Sequence, residues 1–181
     1  MKLKYSKLIM VGPTNSGKTT TSYKYNSEKS RIFNFDQEYK NKLNIKLIGK
    51  KKFRTIHQSV LDKIIKNENN LCVYEGSHLI LPYLFNTIIE TIKSESLVFI
   101  LFDFSFFDLW IRMKNRPSYR KTRFEKFMLL FITYILFSLN KNILTKKLKE
   151  KNIKYIKIKN SNLLPDEIVR LINYQLSIYN V

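Results

Sequence analysis

Eight consecutive residues, Gly12-Pro13-Thr14-Asn15-Ser16-Gly17-Lys18-Thr19, match Gly-x-x-x-x-Gly-Lys-Ser/Thr at every fixed position. Two glycines let successive backbone amides turn toward one anionic group, and a helix starting at the lysine adds the positive end of its dipole. The lysine then offers a cation to phosphate oxygens, and the next hydroxyl is a hard ligand for a divalent ion. The chain has only four glycines, and two of them are here. Other groups could act beside this loop. Asp36, in Asn34-Phe35-Asp36-Gln37-Glu38-Tyr39, and Glu75, in Glu75-Gly76-Ser77-His78-Leu79, each follow an apolar run. Of seven arginines, four (Arg112, Arg116, Arg120, Arg123) fall within 12 residues. In a chain that otherwise chooses lysine, that cluster suits planar, multi-donor recognition of phosphate.

These groups need regular elements to hold them. Lys7 to Val11 is a short apolar strand entering the glycine loop, and a helix leaves the loop from Lys18. Arg31 to Phe35, Leu71 to Tyr74 and Leu97 to Phe102 are further expected strands, and Ile153 to Ile158 alternates as an edge strand does. Pro82 opens one helix, and Pro165-Asp166-Glu167 opens the last, with acids at the positive end of its dipole. Strands separated by helices predict an α/β fold with a parallel sheet covered on both faces. No repeat and no Pro/Gly/Ser-rich linker interrupts the chain, so residues 1–181 read as one domain.

In this strand-loop-helix context the motif resembles the phosphate-binding loop of the P-loop nucleoside triphosphatase superfamily. No Asn-Lys-x-Asp follows, which disfavours guanine-specific GTPases, and the later landmarks are similar to those of small P-loop kinases. The resemblance implies a three-layer α/β/α P-loop kinase fold with a five-stranded parallel sheet. It also implies an arginine-bearing lid at about 112–126 and an acceptor-binding insertion at about 40–68. ATP and Mg²⁺ are the cofactors it implies. Gly12, Pro13, Thr14, Asn15, Ser16, Gly17, Lys18, Thr19 and Thr20 would cradle the phosphates, with Lys18 on the β and γ groups and Thr19 on Mg²⁺.

Glu75 would stand where the superfamily places its Walker B-like carboxylate, holding a Mg²⁺-bound water or orienting the acceptor. Gly76 after it is consistent with a backbone that approaches a ligand closely. In kinases acting on hydroxyl groups, a strand-end carboxylate faces the γ-phosphate, and Asp36 would be that general base. Its alternative use is capping the next helix. Arg116 is the first choice for the transferring phosphate, with Arg112 and Arg120 beside it, and Pro117 would end the helix at the base of the lid. His78 is either a substrate contact or a satisfied loop histidine. Lys157 to Asn162 resembles the strand and loop that flank adenine. The order of landmarks is most similar to the polynucleotide 5′-hydroxyl kinase group, so the expected acceptor is a hydroxyl on a nucleic-acid end, a nucleotide or a nucleoside. The alternative is a nucleotide-binding or ATP-hydrolysing module that holds nucleic acid without a phosphoryl acceptor.

Composition sets the outer limits. Apolar residues at 44% and aromatics at 14% can fill a core, which argues against disorder. One cysteine, Cys72, rules out an internal disulfide framework and a cysteine-cluster metal site. The N-terminal residues form no signal peptide. The longest apolar run, Phe127 to Leu139, has 13 residues; a membrane span needs about 20, so the run reads as a buried core helix. A cytoplasmic protein with no membrane partner is expected.

Lys and Arg number 33 against 14 Asp and Glu, a formal charge of +19. Alanine is absent while Lys, Ile and Asn are all abundant, the bias of an A/T-rich coding sequence, so the total is less informative than its distribution. Lys40 to Arg54 holds seven cations (Lys40, Lys42, Lys46, Lys50, Lys51, Lys52, Arg54). They suit nucleic acid or another phosphate-bearing acceptor.

Overall fold

A computed structural model describes residues 5–28, 30–41, 49–67, 70–115 and 122–178. Five strands form one parallel sheet: β1 (Lys7–Val11), β2 (Ser30–Asn34), β3 (Leu71–Glu75), β4 (Leu97–Phe102) and β5 (Lys154–Ile158), in the order β2-β3-β1-β4-β5. Every residue of β1 and β4 is buried, as uninterrupted apolar runs in a doubly covered sheet require. β5, at the edge, buries only Ile156 and Ile158, which its alternation predicted.

Seven helices connect and cover the sheet: α1 (Lys18–Tyr23), α2 (Phe35–Asn41), α3 (Gly49–Lys66), α4 (Pro82–Thr91), α5 (Phe106–Lys114), α6 (Arg123–Glu150) and α7 (Pro165–Ile178). Strand residues alternate between two apolar cores. Ile9, Val11, Tyr74, Phe99 and Leu101 join α3, α4 and α6 on one face, while Leu8, Met10, Val73, Ile100 and Phe102 join α5 and α7 on the other. This is the expected three-layer α/β/α arrangement.

Register decides where the site lies. Met10 and Asn34 both pair with Glu75, so the ends of β1, β2 and β3 finish level, and the glycine loop leaves β1 at that edge. Strands β2 and β3 lie to one side of β1 and strands β4 and β5 to the other. Ligands bind at such a switch point, beyond the carboxyl ends of the strands.

Two expectations change. Phe35 belongs to α2 rather than to β2, so Asp36 sits in the first turn of a helix. The run Phe127–Leu139 is not an all-round core helix. It is part of the 28-residue α6, which buries one line (Leu130, Thr133, Phe137, Leu144, Leu148) and exposes apolar side chains on the opposite one. An apolar run satisfies a core contact on one face whether or not anything covers the other.

Candidate active site

Two left-handed residues shape the glycine loop. Gly17 has φ 86° and Asn15 φ 65°, left-handed values that let the loop reverse into α1. A β-carbon on Gly12 would stand 2.8 Å from Phe102 Cβ, so only glycine lets the loop lie against β4. Lys18 is buried, its Nζ donating to the Pro13 carbonyl (2.8 Å), Ser16 Oγ (3.2 Å) and Ser77 Oγ (3.3 Å). Burial pushes its pKa down, while Glu75 and Asp36 pull it up. From the far side, Thr133 of α6 accepts the Thr14 amide at 3.1 Å and donates to the Leu130 carbonyl at 3.1 Å.

Next to the lysine, the Thr19 hydroxyl donates to Glu75 Oε1 at 2.8 Å, and Asn34 Nδ2 donates to the same oxygen. Burial raises the Glu75 pKa against the downward pull of Lys18, Thr19 and Asn34. A hydroxyl and a carboxylate in contact beside a phosphate cradle are hard oxygen donors suited to Mg²⁺, which prefers one or two protein ligands plus phosphate oxygens and water. Among the described residues, no group of three His, Cys, Asp or Glu forms a protein-only metal cage. At Gly76, next to Glu75, an added β-carbon would stand 2.8 Å from Phe35 Cβ, so the packing against α2 also calls for glycine.

Asp36 lies on the same sheet edge, half exposed, its Oδ1 3.4 Å from His78 Nδ1, a contact that is not aligned as a hydrogen bond. The cap of α2 comes from Asn34, whose Oδ1 accepts the Gln37 amide at 2.8 Å, so Asp36 is not needed for that duty. Around it stand aromatic rings: Tyr39 stacks on Phe53 (5.1 Å between centroids), and Phe53 meets His78 (4.9 Å). Of the expected basic stretch, Lys42 and Lys46 lie outside the described residues. Lys52 sits over the Tyr39 ring and Arg54 over Tyr83, so these two cations face aromatic rings.

A cleft of about 510 Å³ opens beyond the loop, lined by Asn15, Gly17, Thr20, Arg112, Asn162 and Leu164 among others. Arg112 reaches the loop itself, since a β-carbon on Gly17 would lie 3.5 Å from its Nη1. The loop after β5 forms the opposite wall, where the resemblance put an adenine-flanking segment. Arg116, Pro117 and Arg120 lie outside the described residues, as does part of the span 112–126.

Sequence reading passed over three contributors. Asn34 and Ser77 adjoin named residues but were given no role. Thr133 had a visible signal, a hydroxyl inside an apolar run, whose meaning depends on Thr14, 119 positions away.

By sequence the chain matches no protein family and no curated protein. By structure it is similar to a gluconokinase from Sinorhizobium meliloti 1021 (TM-score 0.65, 13% identity, covering 99% of this chain and 95% of that one). A shikimate kinase from Bacteroides thetaiotaomicron gives TM-score 0.61 and 15% identity over 97% of this chain and 98% of that one. A chain of the Pnkp1/Rnl/Hen1 RNA repair complex gives TM-score 0.58 and 17% identity over 76% of this chain, which spans 46% of that longer chain. The fold is that of the small P-loop kinases.

Proposed function

We propose that the chain is an ATP-dependent kinase that transfers a γ-phosphoryl group to a hydroxyl on a nucleic-acid end, a nucleotide or a nucleoside. The observation that carries this reading is a single sheet edge with the phosphate cradle and the Thr19–Glu75 pair on one side and Asp36 on the other. A triphosphate seated on the loop amides and Lys18 would leave its last phosphate between them. Asp36 takes the proton from the acceptor hydroxyl as the oxygen bonds to phosphorus, and ADP leaves. His78 restrains Asp36. Arg112, with Arg116 and Arg120 as the further proposed cations, stabilises charge on the phosphates. Thr19 and Glu75 would hold Mg²⁺, Glu75 through water; when bound, the ion offsets the negative charge that would otherwise oppose attack.

The structural neighbours are named for a sugar acid, for shikimate and for RNA repair, so the nucleic acid, nucleotide and nucleoside class rests on this chain's own residues. Tyr39, Phe53 and His78 form an aromatic cluster beside Asp36, and the exposed part of that cluster is the surface proposed to meet a base. The test is an acceptor screen with γ-labelled ATP, covering 5′-hydroxyl DNA and RNA, nucleotides, nucleosides and small alcohols. Label on a base-bearing acceptor is the expected result. Label released only as inorganic phosphate would overturn the kinase reading in favour of an ATP-hydrolysing module.

A further inference from the structure

Along the outer line of α6 Phe131 meets Phe106 of α5, and the rest of the line is exposed although it is built from the side chains least suited to water. Phe124 (71% exposed), Met128, Phe131, Ile132, Ile135, Leu139 (67%) and Ile143 (52%) recur at intervals of three and four, which places them along one side of the helix. From Phe127 to Asn140 this helix has no charged residue on any face, and its apolar window is only 22% buried. Scattered exposed apolar residues are ordinary; a continuous line of seven on one helix marks an interaction surface. Past Ile143 the same line continues as Lys146 and Lys149.

We infer that α6 docks the protein on a lipid surface that carries net negative charge, lying in its plane with the Phe124–Ile143 line in the headgroup and acyl boundary. Charge selects this occupant. The helix has six cations against two acids; Lys141 and Lys147 face Asp103 and Glu90 of other elements, while Lys146, 4.0 Å from Glu150, and Lys149 continue the outer line, which holds no acid from Phe127 to Lys149. The whole chain carries +19, which draws it to an anionic surface and opposes pairing of two copies through the same face. Nucleic acid does not suit the line, because its middle offers no cation to a phosphate.

The helix rests on the surface and does not cross it. Its inner line fills the core, Thr133 holds the glycine loop, and Lys141 pairs with Asp103 at 2.8 Å, so threading it through a bilayer would dismantle the fold. No described residue lining the nucleotide cleft comes from α6, so docking leaves the cleft accessible.

The test is co-sedimentation of the full chain with phosphatidylcholine vesicles, with and without phosphatidylserine. Binding to the anionic vesicles should be at least about tenfold tighter than to the neutral ones and should weaken with salt. Leu139→Lys should weaken it by at least about tenfold, and Lys146→Glu with Lys149→Glu by about fivefold for each position. All variants should keep wild-type helical circular dichroism and affinity for a fluorescent ATP analogue. If Leu139→Lys is unstable, Ile132→Ser with Ile135→Ser replaces it. Failure of the wild type to sediment with anionic vesicles, or undiminished binding by the apolar-line variant that folds, would overturn the inference. So would a wild-type dimer that Leu139→Lys converts to monomer, which would assign the line to a second copy.

Discussion

On the nucleotide side of the sheet edge, Ser16, Lys18 and Glu75 are buried and each is held by hydrogen bonds to neighbouring elements. On the other side, where the acceptor is proposed to bind, Asp36 and His78 are partly open to solvent and meet at 3.4 Å without an aligned hydrogen bond. The first arrangement suits a ligand part that never changes, a polyphosphate, because fixed donors need no reorganisation when charge arrives. The second is more open, as the proposed entry of an acceptor beside Asp36 would require. Aromatic rings, Tyr39 and Phe53 among them, stand beside it.

The contrast can be broken at several points. Lys18→Ala should cost the most, roughly 10³-fold in turnover, because it removes the buried cation of a fixed cradle; steady-state transfer from γ-labelled ATP measures it, and a loss below about tenfold would mean that the cradle is not the reacting site. His57 comes next, through stability. It lies under the acceptor side on α3, buried, with Nδ1 2.9 Å from the Tyr74 hydroxyl, and burial lowers its pKa from 6.5 to about 4. A lowered histidine pKa means that the unfolded chain takes up the proton first. Its contribution is therefore complete above about pH 6.5 and is lost as pH falls toward 4, on the order of 3 kcal/mol in all. Denaturant titrations over this range should show a shallower pH slope for His57→Gln than for the wild type.

Asp36→Asn should lower turnover by at least about 100-fold while ATP affinity is unchanged, the usual scale for loss of a general base. Equal turnover in the two proteins would leave the acceptor side without its base. Thr133→Val should be the mildest change. It leaves the Thr14 amide without its acceptor, at a cost of about 1–3 kcal/mol, read as a lower melting temperature and weaker nucleotide binding. If only stability falls, α6 supports the fold without shaping the loop.

The two sides also differed in legibility. The cradle occupies eight consecutive residues whose spacing is itself the chemistry, and β1 and β4 begin and end where their apolar runs do. Asp36 was visible as a carboxylate after a strand, but its place in the first turn of α2 depended on Asn34 capping that helix. The demand that Phe35 makes on Gly76 had no sequence signal, because the two are 41 positions apart. The outer face of α6 was the clearest misreading, because hydropathy along a chain reports what a residue prefers and not whether anything covers it.

The sequence alone determined the phosphate loop, the alternation of strands and helices, and the parallel sheet, because each follows from contacts between near neighbours or from the period of apolar residues. Only the tertiary structure decided which distant groups meet at the sheet edge: Glu75 with Thr19 and Asn34, Asp36 with His78, and Thr14 with Thr133. It also decided that α6 would bury one line and leave the other exposed. Those outcomes depend on strand order and register, which arise when separate segments pack against one another, and no local pattern records them.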